Sequence, residues 1–168
     1  DVGGTPEQLV TVKDGEFAQG PQMLPGAEAL LYTVARSADG EEMWDKAQIV
    51  VQSLPSGKRK MLIDGGSDAR YLRTGHLLYA SGGIMFAVPF DLARQEVSGE
   101  RVPVVQGVRR SPNRTISGAV QLSTSDTGTL LYLPGPTGTR TAERRIAVAD
   151  RAGIVTRRAA AQGLHSPA

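Results

Sequence analysis

The chain has 168 residues, a net charge of +2 and no cysteine, which excludes disulfide frameworks and thiolate metal sites. No apolar run reaches the roughly 18 residues that a membrane-spanning helix needs, so we expect a soluble protein without a membrane partner, and the compartment, bacterial cytoplasm or periplasm, stays open. Twenty glycines, 10 prolines and only 5% aromatic residues favour short strands separated by many turns.

A repeated tripeptide organises the chain after a lone predicted strand at residues 8–12. The sequence Leu-Leu-Tyr occurs three times, at residues 30–32, 77–79 and 130–132. The copies are separated by about 50 residues, which is the spacing of propeller and array repeats. The repeat therefore predicts a single domain built from three similar units.

Each predicted unit contains four short strands joined by turns rich in Gly, Pro, Ser and Asp. A short strand and a Gly turn precede each Leu-Leu-Tyr strand, and two further apolar runs follow it. The three units span residues 21–63, 68–108 and 118–158, and a tail follows at 159–168. A four-stranded antiparallel meander repeated in this way predicts an all-β fold of three β-propeller blades.

Six segments carry a family resemblance: Gly-Gly-Thr-Pro-Glu-Gln-Leu at 3–9, Pro-Gln-Met-Leu-Pro-Gly at 21–26, Gly-Ser-Asp-Ala-Arg-Tyr at 66–71, Gly-His-Leu-Leu-Tyr-Ala at 75–80, Phe-Ala-Val-Pro-Phe-Asp at 86–91 and Ser-Asp-Thr-Gly-Thr-Leu at 125–130. They resemble the TolB-like, WD40-like propeller repeats of bacterial periplasmic proteins and of sensor domains in bacterial serine/threonine kinases. The resemblance implies a binding or scaffold domain without chemistry of its own. Propellers of that family have six or more blades, so three blades imply either a fragment or a ring that closes between chains.

Ring closure between two copies is the expected assembly. Three blades leave two terminal faces that a monomer would expose. The first half of the chain is acidic and the second half is basic, which favours contact between the first blade of one copy and the third blade of the other. We expect a homodimer with a six-bladed ring, in which residues 8–12 add to the edge of the partner's third blade.

Three carboxylates and one histidine are the candidate site residues. Glu16, Asp64 and Asp68 lie at or near the predicted entrances to innermost strands, where carboxylates can hold a divalent metal ion, although Asp is also an ordinary turn residue. His76 begins a predicted strand and can act as a base or ligand, or as a partly buried structural histidine. No Gly-x-Ser-x-Gly motif supports a serine hydrolase.

Two functions remain open at the level of sequence. The first is a non-catalytic module that binds a peptide, a protein or a small ligand at the central channel. The alternative is a metal-assisted hydrolase of esters or phosphoesters, similar to lactonases and phosphotriesterases, that uses His76 and the carboxylates. Basic pairs such as Arg109-Arg110 lack interleaved aromatics, so we interpret them as a solvated face and do not expect a nucleic-acid partner.

Overall fold

The computed structural model describes residues 4–111, 117–125, 127–135, 147–149 and 155–157. Within these residues every regular element is a strand, apart from one short 3₁₀ segment, Ser37–Glu42. The strands form three antiparallel sheets that follow one another along the chain. The prediction of an all-β fold made of blade-like meanders is therefore confirmed.

The first sheet is a four-stranded meander. Its strands pair in chain order: β1 Glu16–Met23, β2 Ala29–Arg36, β3 Gln48–Ser53 and β4 Arg59–Asp64. All of β2 except Arg36 is buried, because both faces of this strand are covered. One face packs on the second sheet, and the other is covered by the segment that precedes β1.

The second sheet has a divided outer edge. β5 Ser67–Leu72, β6 His76–Ser81 and β7 Ile84–Asp91 pair in order, and both β8 Glu96–Val97 and β9 Val102–Gln106 pair with β7. β9 lies in the last part of the second predicted unit, residues 68–108, where the fourth strand of that unit is expected. The β6–β7 turn is tight and uses Gly82 and Gly83, both at positive φ, where glycine carries no Cβ penalty.

The third sheet repeats the same order with shorter strands. β10 Leu122–Thr124, β11 Leu130–Tyr132, β12 Ala147–Ala149 and β13 Val155–Arg157 form an antiparallel meander. Isolated bridges from Val108 to Pro134 and from Arg110 to Val120 tie the end of the second unit to this sheet. The predicted tail at 159–168 lies outside the described residues.

The Leu-Leu-Tyr repeat sets the packing between sheets. Side chains alternate between the two faces of a strand. The second leucine of the tripeptide, called the middle leucine, therefore points to one face, and the first leucine, called the outer leucine, points with the tyrosine to the other. In each junction the middle leucine of one sheet packs with the outer leucine and tyrosine of the next sheet. These sets are Leu31 with Leu77 and Tyr79, and Leu78 with Leu130 and Tyr132.

The lone strand predicted at residues 8–12 does not form. Val10 packs against the cluster that contains Leu30 and Tyr32, on the face of the first sheet that points away from the second sheet. The carbonyl oxygens of Leu9 and Thr11 accept hydrogen bonds from side chains of that sheet, not from the backbone N–H groups of a paired strand. The segment therefore covers a sheet face instead of pairing with a strand, and side chains of that face hold its carbonyl groups.

No helix in the described part of the chain is long and apolar enough to cross a membrane.

Candidate functional site

The first strands of the three sheets end at a common opening. Met23, Leu72 and Thr124 are the last residues of β1, β5 and β10, and all three line a cavity of about 830 Å³. Arg73 and Ser125, which follow two of these strands, also line it. The opening is thus built from the same end of three repeated units.

A cleft between the second and third sheets adjoins this opening. Its volume is about 490 Å³, and Leu72, Arg73, Thr124 and Ser125 line both spaces. Its lining is mostly apolar, and we call the apolar lining residues the floor and the polar ones the rim. The floor residues are Leu72, Leu78, Ala87, Val102, Val104 and Leu130, and the rim residues are Arg73, Thr74, His76, Thr124 and Ser125.

Two valines of β9 leave much of the floor accessible. Val102 is 55% exposed and Val104 is 47% exposed, although both are large apolar side chains. Leu78, by contrast, is 3% exposed and belongs to the core between the sheets. A ligand that covers the two valines would remove apolar surface from water without unpacking the core.

His76 lies on the rim with one ring nitrogen occupied. It follows Gly75, which adopts a φ of +78° in the β5–β6 turn. Its Nδ1 lies 3.0 Å from the carbonyl oxygen of Thr74 and 3.2 Å from the Thr74 hydroxyl. A carbonyl oxygen only accepts hydrogen bonds, so in neutral His76 Nδ1 carries the proton and Nε2 is an acceptor. Within the described residues no hydrogen bond reaches Nε2.

Gln22 joins the first two sheets beside the opening. Its Oε1 accepts a hydrogen bond from the backbone N–H of Tyr71 at 2.7 Å, and its Nε2 donates to the Tyr71 carbonyl at 3.2 Å. The side chain of β1 thereby satisfies both backbone groups of one residue in β5. This paired contact fixes the spacing of two strands that line the opening.

Asp68 lies at the junction of all three sheets and does not face an open channel. It is 1% exposed and adopts a φ of +51° in a bulge of β5. Its Oδ2 accepts from the backbone N–H of Val120 at 2.8 Å, and its Oδ1 accepts from Arg70 at 3.0 Å. Its own N–H donates to Thr33 Oγ1 at 3.0 Å. Asp68 does lie at the start of β5, as the sequence predicted, but its interpretation as an ordinary turn residue was wrong, because the bulge turns it into the interior.

Arg110 is also part of a sheet junction. Its side chain is 10% exposed and donates to Asp45 Oδ1 at 2.8 Å and to Ser67 Oγ at 3.2 Å. The interpretation of Arg109-Arg110 as a solvated basic pair is therefore wrong for Arg110. Ser67 is fully buried, and its hydroxyl lies 3.5 Å from the carbonyl oxygen of Gly118, so it is not placed as a nucleophile.

Glu16 and Asp64 occupy other parts of the first sheet. Glu16 accepts from the backbone N–H of Lys13 at 3.1 Å and lies 3.4 Å from Arg59. The Lys13 N–H and the Arg59 guanidinium hold the pKa of Glu16 below its usual range, although burial opposes them. Asp64 is exposed at the end of β4 and accepts from Gln48 at 3.3 Å. Each of the predicted carboxylates thus has different partners.

The predicted metal ligands are not brought together. Glu16 shares the face of the first sheet that carries Tyr32, whereas Asp68 contacts Thr33 on the opposite face. Across the described residues there is no group of three or more His, Asp or Glu side chains that could hold a metal ion. His76 lies in the cleft with none of the three carboxylates among the residues that line it.

Sequence reasoning missed most of the residues that form the cleft. Thr124, Ser125, Val102 and Val104 come from two different units, and their approach depends on how the sheets pack. Two features of the sequence could have indicated these residues. One is the turn at Ser125, and the other is the pair of valines, Val102 and Val104, on an outer strand. Gln22 and Tyr71 gave no signal, because their contact is between a side chain and a backbone.

Comparison with known proteins adds little to this geometry. No protein-family model and no curated protein matches the chain. Among solved structures, the chain is similar to the crystal structure of the GH43 BlXynB protein from Bacillus licheniformis, with a TM-score of 0.42 and 15% sequence identity. The match covers 90% of this chain but 29% of that chain. At this level of similarity it carries no argument about the fold or the function.

Proposed function

We propose that the chain is a non-catalytic binding module with TolB-like, WD40-like blades, and that it binds an extended peptide in the cleft between the second and third sheets. The observation that carries this proposal is the composition of the cleft, an accessible apolar floor beneath a polar rim. Binding sites are commonly apolar with a few placed polar groups that orient the ligand. A peptide supplies both kinds of group along one chain.

The rim residues indicate how the backbone and the apolar side chains of the peptide are oriented in the cleft. His76 offers Nε2 as an acceptor, because Nδ1 is engaged by Thr74. A backbone N–H of the peptide is a suitable donor to it. An apolar side chain of the peptide next to that N–H would then cover Val102 and Val104.

The surrounding hydrogen bonds support a preformed cleft. Asp68 joins β5 to the segment that leads into β10, and Gln22 joins β1 to β5. These bonds connect sheets through groups that are buried or partly buried, where their electrostatic strength is greatest. A site held in this way loses little conformational entropy when a ligand binds.

The alternative, a metal-assisted hydrolase, gains no support from the described residues. His76 and the three carboxylates are distributed over separate contacts, as described above. A binding function needs none of them to meet. We therefore keep hydrolysis as a contrary outcome of the binding experiment.

The experiment measures fluorescence anisotropy of labelled, acetylated hexapeptides that carry Leu, Val or Phe between polar residues. For a peptide that binds the full chain, Val102→Asp should weaken binding about tenfold or more, because it places a charge on the apolar floor. His76→Ala should weaken it about three- to tenfold, the size of one hydrogen bond. Phe17→Asp is the matched control, since Phe17 is apolar, 44% exposed and outside the cleft.

Two results would overturn the proposal. The first is equal binding by the wild type, Val102→Asp and His76→Ala, which would place the peptide elsewhere. The second is an absence of binding across the whole peptide set. Hydrolysis of an ester or phosphotriester by the purified chain, lost on addition of chelator, would favour the alternative instead.

A further inference from the structure

The three middle leucines of the repeat differ in one respect. Leu31 is 0% exposed and Leu78 is 3% exposed, because each is covered by the sheet that follows it. Leu131 occupies the same position in the third sheet and is 40% exposed. The face of the third sheet around Leu131 therefore has the sequence of a blade junction without a following blade against it in the described chain.

The residues around Leu131 form an apolar surface similar to those at the two junctions between sheets. An apolar hollow of about 300 Å³ lies on this face. It is lined by Gln121, Leu122, Ser123, Leu131, Tyr132 and Leu133. Ser123 pairs with Leu131 across β10 and β11 and therefore lies on the same face. In the other two junctions, the corresponding face receives the outer leucine and tyrosine of a neighbouring blade.

The first sheet carries the face that is complementary to the third-sheet face around Leu131. Its outer leucine and tyrosine, Leu30 and Tyr32, point away from the second sheet and are covered by the segment that contains Val10. The outer surface of this end exposes three large apolar side chains beside the Glu16–Arg59 ion pair: Leu9 is 44%, Val12 38% and Met61 53% exposed. Met61 pairs with Val50 of the same cluster, which places it on this face.

The segment lies where a neighbouring blade would place a strand. Gln52 Nε2 donates to the Leu9 carbonyl at 2.8 Å, and an Arg59 nitrogen donates to the Thr11 carbonyl at 2.9 Å. Both donors belong to the outer half of the first sheet, at the end of β3 and the start of β4. Residues 4–12 make no backbone–backbone hydrogen bond to any described residue, so their N–H groups are available to an added strand although the carbonyls of Leu9 and Thr11 are engaged.

We propose that a second copy of the chain occupies the third-sheet face, with its first sheet and its residues 8–12 packed against Leu131. Because each copy has one face of each kind, a two-fold axis forms two such junctions and closes a ring of six blades. Opposite net charge in the two halves of the sequence favours the pairing of first with third sheet. The assembly is independent of the peptide site in the cleft.

Multi-angle light scattering of the full chain over a concentration series tests the proposal. The wild type should dimerise. Leu131→Asp and, as a milder change at an exposed position, Ser123→Glu should each raise the dimer dissociation constant about tenfold or more. Met61→Asp should do the same from the opposite face. Phe17→Asp, on the other face of β1, is the control and should dimerise normally.

A mixture of two variants identifies the geometry of the contact. Leu131→Asp and Met61→Asp together should give a heterodimer more stable than either variant alone, because one of its two junctions is then undamaged. A dimer in which two third-sheet faces meet would be unaffected by Met61→Asp, and that result would overturn the proposal. A wild-type chain that stays monomeric across the concentration series would also overturn it.

Discussion

At the residue scale, the sheets are joined by polar side chains that bind backbone groups of a neighbouring unit. Gln19 Oε1 accepts from the N–H of Gly118 at 2.6 Å, and Asp68 makes the same kind of bond to Val120 at 2.8 Å. Such bonds connect residues far apart in sequence. Asp and Gln in turn-rich segments look like solvent-exposed residues in the sequence, so these roles could not be predicted without knowledge of the sheet packing.

Gly118 illustrates a close approach that only glycine permits. A Cβ atom at this position would lie 2.5–2.8 Å from ring atoms of Trp44, which is 2% exposed. We expect Gly118→Ala to lower the free energy of unfolding by about 1–3 kcal/mol, because the indole ring must move within a packed junction. Chemical denaturation followed by Trp44 emission measures the change. Gly4→Ala is the control, since nothing lies within 4 Å of its added Cβ.

Equal stability of Gly118→Ala and the wild type would show that Trp44 does not pack on this glycine. It would also contradict the contact between the third unit and the part of the first sheet that follows the 3₁₀ segment. Because Trp44 is the only tryptophan, its emission reports on this junction alone.

Glu16 gives the fold a pH dependence whose sign follows from its contacts. The Lys13 N–H and the Arg59 guanidinium lower the pKa of Glu16 in the folded chain, so the folded state favours the ionised carboxylate. Its stabilising contribution is present above the ordinary glutamate pKa of about 4.3 and is lost as the pH falls through the lowered folded pKa. Glu16→Gln should therefore cost about 1 kcal/mol at neutral pH and nothing near pH ~2.

Urea denaturation at the two pH values measures this difference. Glu28→Gln is the matched control, because Glu28 is exposed and its side chain makes no hydrogen bond in the described chain. A Glu16→Gln cost that persists unchanged in acid would contradict an ionic role for Glu16.

At the element scale, the repeat was the most informative part of the sequence. Leu-Leu-Tyr marks the second strand of every sheet, and the alternation of its side chains correctly places Tyr32, Tyr79 and Tyr132 at equivalent positions. Residues 8–12 have strand-like composition but no strand, since pairing needs a neighbour that composition does not reveal. The periodic part of the fold was predictable, and the unpaired part was not.

The repeat predicts that Leu→Ala at two equivalent positions lowers the free energy of unfolding by different amounts. Leu78→Ala should lower the free energy of unfolding by about 2–5 kcal/mol, because it leaves a cavity in the core between the second and third sheets. Leu131→Ala should cost less than about 1 kcal/mol at protein concentrations that keep the chain monomeric, because that side chain is partly exposed. Chemical denaturation measures both. Similar costs for the two leucines would mean that the third sheet face is already covered in the monomer.

At the scale of the whole molecule, the arrangement of sheets creates the cleft. Its floor combines β5, β6, β7 and β9 of the second sheet with β11 of the third, and its rim adds residues from two turns. His76 was predicted as a site residue and does line the cleft, whereas its expected partners Glu16, Asp64 and Asp68 do not. The sequence shows which residues can do chemistry, but it cannot show which of them meet.

The central claim, a peptide site between two sheets, is tested most directly by nuclear magnetic resonance. A ¹⁵N-labelled chain is titrated with a hexapeptide that binds in the anisotropy assay. We predict that backbone amide shifts change together at His76 of the second sheet, Val102 and Val104 of its outer strand, and Ser125 of the third sheet. Shift changes confined to the first sheet, or to one side of the cleft, would contradict the account.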